Sequence, residues 1–145
     1  SHTNLPSMNT ARTGFGMGRL GGLVCAVGGT PDDYTILDSC ECLDMANNPG
    51  AYWSAMPNLA TARKIHAVAS TGDTMCAIGG DDVDFNPLAS VECLSQGAAA
   101  WVEVASLNTD RKYHGAAAVG NVIFAVGGQG KRGQLPEPFP RGGTR

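Results

Sequence analysis

Asn58-Leu59-Ala60-Thr61-Ala62-Arg63 has two counterparts in this chain, Ser7-Met8-Asn9-Thr10-Ala11-Arg12 before it and Ser106-Leu107-Asn108-Thr109-Asp110-Arg111 after it. The three arginines are 51 and 48 residues apart. Each is followed by a short apolar stretch that ends in two glycines: residues 23–27 before Gly28-Gly29, residues 75–78 before Gly79-Gly80, and residues 122–126 before Gly127-Gly128. The glycine pairs repeat the spacings of 51 and 48. Two landmarks kept in step are the signature of a structural repeat.

Further from the arginine the repeat continues. Cys40-Glu41-Cys42-Leu43 matches Val91-Glu92-Cys93-Leu94, each glutamate lying 12 residues past its second glycine, and Trp53 and Trp101 each stand 10 residues before the next arginine. Within one unit the pattern predicts four short strands. The first follows the arginine (residues 65–70 or 113–119), the second ends at the glycine pair, the third carries the glutamate, and the fourth begins at the tryptophan. Gly, Pro, Asn and Asp separate them, and no stretch keeps a helical period over ten residues. Two glycines closing a strand permit positive φ or a close backbone approach that a side chain would block. The periodic arginines are expected to be structural, pairing with Glu41 and Glu92, because a buried arginine needs an acid.

A four-stranded unit near 50 residues, with arginine, glycine-pair, glutamate and tryptophan landmarks together, resembles the kelch repeat, and the resemblance covers roughly residues 5–128. It implies an all-β chain of kelch-type β-propeller blades of four antiparallel strands. Residues 1–11 read as the end of a preceding blade, 12–59 and 60–107 as two blades, 108–128 as the first half of a third, and 129–145 as a disordered tail with three prolines. Propellers close with about 4–8 blades, so two and a half imply an open, incomplete one. Where the family usually has an aromatic three residues before the glycine pair, Cys25, Cys76 and Phe124 stand; the cysteines depart from the pattern, and looser packing is expected. The family's Tyr-Asp in the third strand is Leu43-Asp44 and Leu94-Ser95.

Residues 1–128 carry 6 Lys+Arg against 12 Asp+Glu, and residues 129–145 carry 4 against 1. An acidic body disfavours nucleic acid, which needs a basic face. Lys131-Arg132 and Arg141-Gly142-Gly143 read as part of a solvated tail. No apolar run reaches the ~20 residues of a membrane span and no leader opens the chain, so neither membrane anchoring nor export is expected. Five cysteines cannot all pair within one chain, and a reducing, cytoplasmic compartment is expected, with the cysteines as small buried apolar residues.

The remaining candidates for chemistry read as structure. His66 and His114 follow their arginines by three residues where the first unit has Phe15, which makes that position a packing slot. Cys40 and Cys42 lack the paired spacing of a zinc site. Asp82-Val83-Asp84-Phe85-Asn86 imitates a calcium loop, but Pro87 replaces its glycine and Cys93 its final glutamate. Residues 16–21 and 128–133 fit G-x-G-x-x-G without opening a helix. No catalytic residue, metal site or cofactor is therefore assigned.

Strands that alternate in direction bring residues 30–37 and 81–89, the second-to-third-strand loops, to the same end as the inter-unit segments 57–62 and 106–110. Asp32, Asp33 and Tyr34 in one loop, and Asp81, Asp82, Asp84 and Phe85 in the other, set carboxylates beside an aromatic, a combination suited to a basic peptide or protein surface. Many kelch-like proteins are interaction modules, and the resemblance implies such a module, part of a larger adaptor or substrate-recognition protein such as a ubiquitin-ligase adaptor. The alternatives are a kelch-type oxidase or sugar-isomerising enzyme, or an incomplete fragment without independent function. Open strand edges at both ends point to self-association.

Overall fold

A computed structural model describes residues 4–46 and 52–131. Ten strands, all antiparallel to their neighbours, make three sheets, and no helix is present among the described residues. Strands β1 (Gly16–Leu20), β2 (Leu23–Val27), β3 (Cys40–Asp44) and β4 (Ser54–Met56) form the first sheet in sequence order. Strands β5 (Ala67–Thr71), β6 (Thr74–Ile78), β7 (Val91–Ser95) and β8 (Val102–Val104) form the second. Strands β9 (Gly115–Val119) and β10 (Val122–Val126) pair alone in the third. The described residues form neither a closed barrel nor a closed propeller.

The opening strand of each later sheet starts two residues after the position expected from sequence. Ile65 (φ 48°) and Tyr113 (φ 54°) have left-handed backbone where extended backbone was expected, and Gly14 (φ 56°) holds the same place in the first unit. The cause is a backbone ladder from unit to unit: Ile65 N–H donates to Gly14 O (2.6 Å) and Tyr113 N–H to Ile65 O (3.0 Å). A β-branched residue tolerates positive φ only when its surroundings enforce it.

Each glycine pair serves as a socket for the next unit. Gly29 N–H donates to Arg63 O and Gly80 N–H to Arg111 O. A Cβ at Gly28 would lie 2.5 Å from Arg63 O, and Gly28 already has φ 60°. Close approach and positive φ thus act together, and only glycine meets both.

Apolar faces of successive sheets are buried against each other. Leu20, Cys25, Val27, Cys40 and Cys42 of the first sheet share a buried cluster with Met75, Ala77, Leu94 and Trp101 of the second. Cys76, Ile78 and Val91 of the second meet Ala116, Ala118, Ile123 and Ala125 of the third. The alternation of buried and exposed residues that sorts these faces follows from the period of two along a strand.

The expectation of a reducing compartment, with Cys25, Cys42, Cys76 and Cys93 as small buried apolar residues, is corrected by two disulfides, Cys25–Cys42 and Cys76–Cys93. The strand register places each pair directly opposite, Cys25 across from Cys42 and Cys76 across from Cys93. Such bonds persist in oxidising surroundings. They include Cys25 and Cys76, two of the positions where looser packing was expected. Cys40 is left over as a buried thiol, its pKa raised by burial to about 11, so it is protonated and inert at neutral pH. No helix in the described residues is long and apolar enough to cross a membrane.

Of the expected tail, Gln129 pairs with Lys112 through two backbone hydrogen bonds of 2.8 Å. Gly130 and Lys131 are described as well, and residues 132–145 with Arg132 and Arg141 lie outside the described residues, as do residues 1–3 and 47–51.

Candidate functional site

The loops at one end of the sheets are held by the repeat arginines. Arg12 donates from Nε to Glu41 Oε1 (3.0 Å) and from Nη1 to Gly28 O and Ser39 O (2.8 Å each). Arg63, with no solvent exposure, donates from Nη2 to Glu92 Oε2 (2.6 Å) and from Nη1 to Gly79 O (2.9 Å) and Ser90 O (3.0 Å). Each guanidinium therefore clamps both stems of its own second-to-third-strand loop. The glutamates in turn accept the N–H groups of Asn9 and Thr10, and of Ala60 and Thr61. A buried ion pair with this many further hydrogen bonds compensates its desolvation, and removing one member of such a pair costs about 3–5 kcal/mol. Gly127 and Gly128 sit in the same relation to Arg111, whose Nη1 donates to Gly127 O at 2.8 Å.

Between these stems the loops are ordered by their own side chains. Asp32 Oδ1 accepts from the N–H groups of Thr35 (2.7 Å) and Tyr34 (3.1 Å), and its Oδ2 from the Thr35 hydroxyl (3.0 Å). These bonds, that from the Thr35 N–H first, lower the Asp32 pKa. Asp82 Oδ1 does the same for Asp84 and Asn86, both at 2.9 Å. Asp33 (φ 69°) and Phe85 (φ 61°) are held in left-handed backbone. The two loops are neighbours: Lys64 Nζ donates to Asp33 O in the first (3.0 Å) and stands 4.7 Å from the centre of the Phe85 ring in the second. That ammonium gains from both an oxygen dipole and a ring quadrupole.

Of the residues expected at a partner site, Tyr34 (85% exposed), Phe85 (50%), Asp33 and Asp84 face solvent. Asp32 and Asp82 spend oxygens on their own turns. Asp81 leaves the solvent-facing set: it is buried, with its Oδ2 2.9 Å from Lys112 Nζ. The reason is its backbone pairing with Lys64, which draws it into the junction between units. Lys64, Lys112 and Tyr113 belong to this surface and were not anticipated. Tyr113 is 66% exposed, and Lys112 Nζ lies 6.0 Å from its ring centre. The available signal was position, since all three come within two residues after a repeat arginine. The inter-unit segments do run beside the loops, Leu59 N–H donating to Asp38 O and Leu107 N–H to Ala89 O.

The other polar candidates are packing elements. His66 is buried, and burial first, then the charges of Arg63 and His114, depress its pKa to about 3. Burial and the Arg111 charge bring His114 to about 4. Both are neutral at physiological pH. Gly16 and Gly18 of the first G-x-G-x-x-G run lie in β1, and a Cβ on Gly18 would meet Met75 Sδ at 2.6 Å. That glycine admits a neighbouring sheet. Among the described residues no three His, Cys, Asp or Glu side chains gather so as to hold a metal ion.

No family model matches the chain, and no curated protein sequence matches it. Among solved structures, that of YjhT is similar, with a TM-score of 0.76 at 14% sequence identity over 88% of this chain and 42% of that one. The likeness is one of fold, and this chain spans less than half the length of that structure.

Proposed function

We propose that the chain is a non-enzymatic protein-binding module built of kelch-type propeller blades in an open array, and that its working surface is the loop end carrying Tyr34, Phe85 and Tyr113. Successive units, the first two of them four-stranded, repeat every 48 to 51 residues with their first strands adjacent, β1 beside β5 and β5 beside β9, which supports the blade reading. The carrying observation is the Lys64 bridge, which ties two internally braced loops into one surface of aromatic rings and carboxylates. Asp33 and Asp84 make no ion pair among the described residues. Lys112 is paired with Asp81, and the carboxylates of Asp32, Asp33, Asp82 and Asp84 outnumber the Lys64 ammonium, so the charge open to a partner is negative, which suits a basic segment. Braced aromatic anchors favour binding because little freedom remains to be lost.

The test is a heteronuclear NMR titration of the protein with a panel of Lys- and Arg-rich peptides. The expected shifts fall on residues 31–36, 82–86 and 113, weaken with added salt, and are lost in the double variant Asp33→Lys, Asp84→Lys. Perturbations elsewhere, or binding indifferent to that charge reversal, would refute the assignment.

A further inference from the structure

Both complete units share three features that the described residues of the third lack. The first is an indole seated across the junction. Trp101 shares a buried cluster with Cys40, Cys42 and Leu59 of the preceding unit, and its Nε1 donates to Pro57 O at 2.8 Å. Trp53 donates in the same way to Pro6 O at 2.9 Å. One repeat later the corresponding residues are Val91, Cys93, Leu107 and Ala105. With Ile123 and Ala125 they line an apolar cavity of about 190 Å³. A dry apolar cavity of about 150 Å³ already admits benzene, so this one is of the size for a larger ring.

The second is the acid. Arg12 and Arg63 each meet a glutamate, whereas Arg111 keeps only its carbonyl contact at Gly127 and its Nε is buried without a hydrogen-bond partner. The third is strand pairing. Glu41 lies opposite Ala26 and Glu92 opposite Ala77. Ala125 holds the equivalent place on β10, which among the described residues pairs only with β9. The cavity, the lone guanidinium and the free strand edge are adjacent parts of one repeat position, and all three ask for the same occupant.

We propose that this open side is a second binding site, distinct from the loop end, which takes an extended polypeptide segment from outside residues 1–145. The segment adds to β10 as a strand, sets a carboxylate opposite Ala125 against Arg111, and turns an indole into the cavity with its N–H on Ala105 O. A second copy of the chain has no such segment free: Glu41, Trp53, Glu92 and Trp101 are all already buried. The chain holds two tryptophans in all, so no other part of it supplies the indole. Strand addition gives affinity through the main chain, and the two side-chain sites give selectivity.

The probe is a synthetic peptide of residues 89–105 carrying Cys93→Ala, titrated into the whole chain and followed by amide hydrogen exchange. Binding is expected to slow exchange across Val122–Val126, with Trp101→Ala and Glu92→Gln peptides each at least tenfold weaker. The Arg111→Gln protein is expected to bind the parent and Glu92→Gln peptides equally while still preferring the indole. Equal affinity for the parent peptide and one carrying both substitutions would overturn the proposal, as would protection confined to β1–β8. Concentration-dependent dimerisation of the chain alone that protects β10 would overturn it in favour of self-association.

Discussion

His66 and Arg63 show what burial does to a single polar residue. Both are enclosed, yet the arginine keeps its charge because Glu92, Gly79 and Ser90 surround it, while the histidine loses its proton. The pH consequence follows in sign. An unfolded histidine titrates near 6.5 and the folded one at about 3, so between those values the unfolded chain binds a proton that the native chain refuses. Stability is therefore unaffected by this residue above about pH 7 and falls as the pH drops below 6.5. From pH 7.5 to 5.0 the loss is about 2 kcal/mol. Phe15 holds the equivalent position in the first unit, so His66→Phe is expected to flatten this part of the profile. Urea midpoints across that range check it, and an unchanged pH slope in the variant would rule the account out.

The strands β2 and β3, and likewise β6 and β7, are pinned in register three times over, by backbone pairing, by the arginine clamp across their loop, and by a disulfide. The two disulfides each close 17 residues, for which the chain-entropy model gives about 3 kcal/mol. Cys76→Ala with Cys93→Ala is expected to lower the unfolding free energy by about 2–4 kcal/mol, and reductant is expected to lower the denaturant midpoint of the native chain. A midpoint indifferent to reductant would show that these strands hold their register without the bonds. The β9–β10 pair has Phe124 at the equivalent cysteine position and, among the described residues, no third strand beside it, so none of the three restraints is complete there.

Across the molecule, that asymmetry makes a gradient. The first two sheets bury a shared core, while β9 and β10 alternate exposed and half-buried residues along their whole length. Amides of β9 and β10 are expected to exchange orders of magnitude faster than those of β2, β3, β6 and β7, through local opening. Uniform protection measured by mass spectrometry or NMR would contradict this. The spacing of the arginines and glycine pairs made the all-β class and most strand limits legible, since period-two alternation and turn residues act within a few neighbours along the chain. The same periodicity pointed to the Arg–Glu pairs, because each buried charge needs its opposite. Disulfide pairing was not legible: an odd cysteine count is consistent with none, one or two bonds, and register across strands decides. Nor was the loop surface complete, for Asp81 and Phe85 look alike in sequence as loop residues. Their separation into core and surface came from contacts that Lys64 and Lys112 make with residues distant along the chain, and long-range packing of that kind leaves no trace in local pattern.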